Sequence, residues 1–278
     1  MRRQPFGGWK KSAVGAGFKA GGPNYLLGLG SWEPAPRDIV DEPLDPPVQA
    51  LLDAVSPALL GAAGRASDDT RTSDDSRASH SAPADPDEAT LEAVRRTLAS
   101  AARSWRTELS LAVDESALDA ERNVLRYRPT RVHVRVGEAA TLGDLVAGVG
   151  VALTAHGAPA AAARRGRVED HHFDVSTGLD VPPTLARALD APGIAWRRTS
   201  DEEWLSRVAM APRPRVRLVG MSGSDVARAT GGRPDVAVFD HPVTQSGRLE
   251  LLPFLREQSV SVTAHRFGTP DHLTDAFL

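Results

Sequence analysis

The sequence contains no cysteine. That absence excludes a disulfide framework, a thiolate metal site and a cysteine nucleophile together. Lysine is nearly missing too: of 33 basic residues only Lys10, Lys11 and Lys19 are lysine. With the load of Ala, Gly and Pro, this arginine bias reads as a GC-rich coding sequence rather than an arginine-lined site. No apolar run approaches the ~20 residues that span a bilayer. The opening residues, Met-Arg-Arg-Gln-Pro-Phe-Gly-Gly-Trp, lack the apolar stretch and cleavage site of a signal peptide. A formal charge of −3 and a pI near 6.2 provide no electrostatic footprint for nucleic acid or an anionic membrane. The expectation is a cytoplasmic protein of 278 residues, long enough to bury a sizeable core.

The first 32 residues interleave Gly7, Gly8, Gly15, Gly17, Gly21, Gly22, Gly28 and Gly30 with Phe6, Trp9, Phe18, Tyr25 and Trp32. They show neither helix nor strand periodicity and carry too little apolar surface to fold alone. Residues 33–86 follow as a linker. Within it Val48, Leu51, Leu52, Val55, Leu59 and Leu60 recur at helical spacing, with an interruption expected at Pro57. Residues 65–88 hold no hydrophobic side chain larger than Ala and are rich in acid, the composition of a disordered segment.

Order is expected to return at Asp85-Pro86-Asp87-Glu88, an N-cap with Pro at the first helical position. Leu91, Val94, Leu98, Ala102, Trp105 and Leu109 lie on one helical face. A short helix around Ser116–Asn123 completes a helical connector over 87–129. From residue 130 the pattern alternates. Strands are expected at Arg131–Val136, Gly150–Ala155, Ile194–Arg197, Val216–Val219, Val236–Phe239 and Val260–His265. Helices are expected at Leu142–Val149, Pro183–Leu189, Asp201–Val208, Asp225–Thr230 and Leu251–Gln258. Such alternation predicts an α/β domain with a parallel sheet over 130–278.

Two segments resemble known proteins. Arg3-Gln-Pro-Phe-Gly-Gly-Trp-Lys-Lys-Ser, running on to Lys19-Ala-Gly-Gly-Pro-Asn-Tyr-Leu, resembles the last active-site segment of the aldehyde dehydrogenases. Among these it is most similar to L-glutamate-γ-semialdehyde (1-pyrroline-5-carboxylate) dehydrogenase. At the far end, Gly247-Arg-Leu-Glu-Leu-Leu-Pro-Phe-Leu-Arg-Glu-Gln through to His265-Arg-Phe-Gly resembles the C-terminal motif of the long forms of the proline utilization A family. Those proteins join an FAD-dependent proline dehydrogenase to the NAD-dependent semialdehyde dehydrogenase. A Rossmann-like, vestigial aldehyde dehydrogenase-superfamily domain follows.

The resemblance implies a chain that corresponds to the C-terminal end of such a bifunctional oxidoreductase. Residues 1–32 would be the remnant of the dehydrogenase domain and 130–278 the vestigial domain, with a docking motif over 247–268. Aldehyde oxidation needs a thiolate, a base and bound NAD. In the family these lie upstream of the matched segment, so the chain alone is expected to be inactive and to bind no cofactor, NAD and FAD being held by the parent. By resemblance Phe6, oriented by Gly7 and Gly8, would line the substrate's aliphatic part, with Ser12 at the family's serine position. Leu249, Leu252, Phe254, Leu255, His265, Arg266 and Phe267 would dock on the dehydrogenase domain and seal the channel between active sites. Because Leu249, Leu251, Leu252, Phe254, Leu255 and Phe267 exceed what one helix and a sheet edge bury, some are expected to stay exposed.

Other constellations carry weaker chemistry. Asp170-His171-His172 lacks a third ligand at useful spacing, and adjacent histidines on an extended chain point apart. Gly220-Met-Ser-Gly-Ser-Asp matches neither phosphate-binding fingerprint and reads as a strand-to-helix turn capped by Ser222 or Ser224. Gly148-Val-Gly150 lacks a third glycine. A stand-alone α/β domain binding a nucleotide or small ligand is the alternative reading.

Overall fold

The computed structural model describes residues 4–6, 17–34, 41–66, 86–157, 173–212 and 214–270. Most of the 65–88 segment expected to be disordered, together with Gly7, Gly8, Ser12 and Asp170-His171-His172, lies outside them.

Five short strands form a parallel sheet: β2 (Val132–Val136), β3 (Phe173–Thr177), β4 (Trp196–Arg198), β5 (Arg215–Val219) and β6 (Ala237–Phe239), in the order β4-β3-β2-β5-β6. The order reverses between β2 and β5, the signature of a doubly wound Rossmann-like sheet. Helices α3 (Leu142–His156) and α4 (Pro183–Asp190) cover one face. Helices α5 (Asp201–Met210) and α6 (Gly223–Thr230) cover the other.

The first face carries Val132, Val134, Val136, Phe173 and Val175, and its core runs on through α3 into α1 (Pro46–Ala66) and α2 (Pro86–Ser104). Residues placed in a linker and a helical connector are therefore packed body, and residue 130 marks no boundary in the packing. Helix α1 runs through Pro57 without ending.

Helix α3 corrects a second expectation, since Gly150–Ala155 is its C-terminal half rather than a strand. Thr141 and Asp144 form a reciprocal capping box, and nearly every α3 side chain is buried. A helix buried on all sides shows no amphipathic period, which is why its apolar run resembled a strand.

The third correction falls on Ser116–Asn123. Asp114 accepts the N–H groups of Ser116 (3.0 Å), Ala117 (3.1 Å) and Asn123 (2.9 Å) and the Ser116 hydroxyl (2.6 Å). A carboxylate that captures these donors holds a turn in place of a helix. The chain then enters β1 (Glu121–Pro129), which pairs antiparallel with β7 (Leu255–Thr263) from Glu121↔Thr263 to Pro129↔Leu255.

The fourth correction is Leu251–Gln258. Helix α7 (Gly247–Leu251) ends there, Leu252–Phe254 makes one 3₁₀ turn around Pro253, and β7 begins at Leu255. Proline has no N–H to continue a helical ladder. A small hairpin, β8 (His265–Arg266) and β9 (Thr269–Pro270), closes the described chain.

Candidate functional site

The two segments that carry the resemblance lie at opposite ends of the sequence and meet in space. Tyr127 and Glu257 are directly paired across β1 and β7, so their side chains share one face of the ribbon. Asn24, 0% exposed, sits on that face. Its amide donates to Glu257 Oε1 at 2.6 Å and to the Tyr127 hydroxyl at 2.9 Å. Phe18 meets Phe239 edge-on with ring centroids 5.5 Å apart, and the Ser259 hydroxyl donates to the Pro5 carbonyl at 3.4 Å. Beneath the contact lies Arg215, 2% exposed, which donates to the Leu252 carbonyl at 3.1 Å and places its guanidinium 4.8 Å from the Phe239 ring centroid.

Burial dominates the electrostatics of this seam. It pushes the Glu257 carboxyl above its usual range, opposed by the Asn24 hydrogen bonds and by Arg248 and Arg215. It raises the Tyr127 phenol and lowers Lys19, which Arg215 lowers further. Arg215 falls to about 9 through burial, opposed by Glu257. Every shift favours the neutral form, so desolvation outweighs pairing here. The neutral amide of Asn24 joins the two elements without adding another charge to desolvate.

The expected site residues separate into two groups. Leu249, Leu252, Phe254 and Leu255 are buried in the chain's own core beside Leu251, so no exposed patch forms from them. His265, Arg266 and Phe267 are exposed on the β8–β9 hairpin. Phe267 is 94% exposed and holds a positive φ of 52° ahead of Gly268 at 86°. That left-handed conformation is uncommon for a bulky residue and fixes the ring outward, with the Arg266 guanidinium 5.6 Å from its centroid. Phe6 is 82% exposed, and its N–H donates to the Ala20 carbonyl at 2.7 Å.

Sequence reasoning missed Asn24, Tyr127, Arg215 and Glu257. Glu257 faces the seam only because 255–263 is a strand, so a helical reading concealed its direction.

Doubly wound sheets bind nucleotides where the strand order reverses. Here that crevice is filled. The Gly137 N–H donates to the Val219 carbonyl at 2.8 Å. At Gly220, whose φ is +70°, an added Cβ would lie 2.6 Å from Ala140 Cβ. The loops after β2 and β5 are thus in backbone contact, and Ser222 caps α6 by accepting the Ser224 N–H at 3.2 Å. These residues do not fit an NAD cradle. Among the described residues no group of three or more His, Asp or Glu side chains could hold a metal ion, and no helix is long and apolar enough to cross a membrane.

No family model and no curated protein matches the sequence. Among solved structures, the chain is similar to Proline Utilization A (PutA) from Corynebacterium freiburgense, with 29% identity and a TM-score of 0.56. The match covers 96% of this chain but only 19% of that one. Weaker likenesses are to a 3,6-anhydro-L-galactose dehydrogenase in complex with NAP (15% identity, TM-score 0.36, covering 55% of this chain and 31% of that one) and to a histidinol dehydrogenase from Elizabethkingia anophelis (11%, 0.34, 75% and 52%). The fold is an α/β fold with a doubly wound, Rossmann-like parallel sheet, similar to that PutA structure. The similarity links the chain to a PutA-type protein, of whose length it spans 19%.

Proposed function

We propose that this chain is a non-catalytic, structural module of a PutA-type proline-catabolic oxidoreductase, one that docks on the aldehyde dehydrogenase domain and closes the channel between the two active sites. The observation that carries the reading is the seam between Asn24 and Glu257. It joins the dehydrogenase-like segment to the C-terminal motif.

In this reading the motif divides its work. Leu249, Leu252, Phe254 and Leu255 anchor it in the module's core, each buried side chain contributing ~1.5–3 kcal/mol. His265, Arg266 and Phe267 face outward from the β8–β9 hairpin toward the dehydrogenase domain. Phe6, Gly7, Gly8 and Ser12 would complete the substrate end of that domain. NAD and FAD belong to the parent's other domains. The filled crevice at Gly137 and Gly220 and the lack of any cysteine support the absence of catalysis by this chain.

Deleting residues 249–278 would remove core side chains, so a surface variant makes the cleaner test. Phe267→Asp in the full-length oxidoreductase is expected to lower the semialdehyde dehydrogenase half-reaction or the coupled conversion of proline to glutamate. The proline dehydrogenase half-reaction is expected to survive. Three unchanged rates would remove the docking role.

A further inference from the structure

The sheet face beneath α5 and α6 is unusual for a parallel sheet, whose two buried faces ordinarily read as apolar runs. Strand alternation puts Arg131, His133 and Arg135 on it, and the parallel register adds Asp174 and Ser176 from β3 and Arg197 from β4. A cavity of about 450 Å³ opens over Arg131, His133, Asp174, Ser176 and Arg197, roofed by the C-terminal half of α5.

Its floor is rigid. His133 Nδ1 lies 2.9 Å from Asp174 Oδ2, and Nε2 lies 2.8 Å from the Ser176 hydroxyl. The Trp204 indole N–H, which can only donate, reaches the same Nε2 at 2.9 Å. Nε2 is therefore an acceptor, and the proton sits on Nδ1 facing Asp174. The connectivity is that of a serine nucleophile relay, but two facts exclude that chemistry. Trp204 occupies the lone pair that would take the serine proton. Ser176 is 1% exposed inside a strand paired on both sides, so no backbone N–H beside it is free to stabilise an oxyanion.

The walls are cationic. Arg207 is tied to Glu203 at 2.6 Å, and the Arg215 guanidinium is turned to the opposite face of the sheet. Among the described residues, neither Arg131 nor Arg197 has a carboxylate within salt-bridge distance. Among the described residues that line the cavity Asp174 is the one acid, and His133 is one of its partners. The Glu203 carboxyl is held down by the Thr199 hydroxyl and by Arg197 as well as Arg207. Among the described residues, Arg131, Arg197 and Arg207 against Asp174 and Glu203 therefore leave a positive charge that one anion balances, and a guanidinium fork matches a carboxylate in shape.

We propose that this cavity binds a small organic monocarboxylate, held by Arg131 and Arg197 over the His133–Trp204 floor. The site is independent of the docking role and lies on the opposite face of the sheet from α3.

The test is an NMR titration of the full chain with propionate, benzoate and inorganic phosphate, read at the Trp204 indole N–H. Both carboxylates are expected to shift that resonance saturably. Arg131→Gln and Arg197→Gln, at exposed positions that leave the fold intact, are each expected to weaken binding about tenfold, the usual scale for one charge-assisted contact. A resonance that does not move, affinities equal in wild type and both variants, or phosphate bound more tightly than either carboxylate would each overturn the assignment.

Discussion

Asn24 and Glu257 stand 233 residues apart in sequence and 2.6 Å apart in space, both buried, the amide of one donating to the carboxyl of the other. The contact joins the glycine-rich N-terminal segment to the β1–β7 ribbon and makes the seam sensitive to pH. Burial raises the Glu257 carboxyl above its usual range, so the folded chain holds that proton more tightly than the unfolded chain. The stability this contributes is full below the ordinary carboxylate range and is lost as pH rises through the raised value. Glu257→Gln keeps an oxygen for Asn24 and cannot ionise. Denaturant midpoints measured from about pH 4 to about pH 8 should fall with rising pH in the wild type and flatten in the variant.

Asp114 works in the opposite direction. The Ser116 hydroxyl and then the backbone N–H groups of Asn123, Ala117 and Ser116 hold its carboxyl down at about 2. Its contribution is present above the ordinary carboxylate range and is lost as pH falls through about 2. Asp114→Asn should lower stability at neutral pH and remove that part of the acid-unfolding arm, as read by circular dichroism.

Gly247 sets the contact between α7 and α2. A Cβ there would overlap the backbone of Ser100 and Ala101, and the Gly247 N–H donates to the Ser100 hydroxyl at 2.9 Å. Backbone atoms cannot swing aside as a side chain can. Gly247→Ala is expected to cost roughly 1–3 kcal/mol or more, seen as a lowered thermal midpoint.

Two substitutions within the C-terminal motif should separate its halves. Leu251→Ala empties a fully buried position and is expected to cost roughly 2–5 kcal/mol. Phe267→Ala removes a ring that is almost wholly exposed and should leave unfolding within about 0.5 kcal/mol of wild type. A large loss at Phe267 would show that its ring supports the chain's own fold.

Local signals made much of the body legible. The strands expected at Arg131–Val136 and Val216–Val219 fall on β2 and β5, and the helix expected at Asp201–Val208 falls on α5. What stayed hidden depends on tertiary surroundings. Helix α3 is buried on all sides and so has no polar face to betray its period. Pro57 was expected to interrupt α1, but the helix continues through it. Leu249 to Leu255 looked like surplus apolar surface only because α1 and α2 were assigned outside the core that covers them. At the seam, the N-terminal segment and the motif were both recognisable, but nothing in either stretch announced that Asn24 would be the residue joining them.

The central claim, that the two family-like segments form one packed unit, is tested most directly by hydrogen exchange at Tyr25 and Leu27. Their N–H groups bond only to Gly22 and Asn24 nearby, so they stay protected only while the segment is docked. The wild-type chain should protect both amides well above an unstructured peptide, and Glu257→Ala should speed their exchange by about tenfold or more, the loss of one buried hydrogen bond that leaves the Asn24 amide short of an acceptor. Equal exchange in the two proteins would contradict the account.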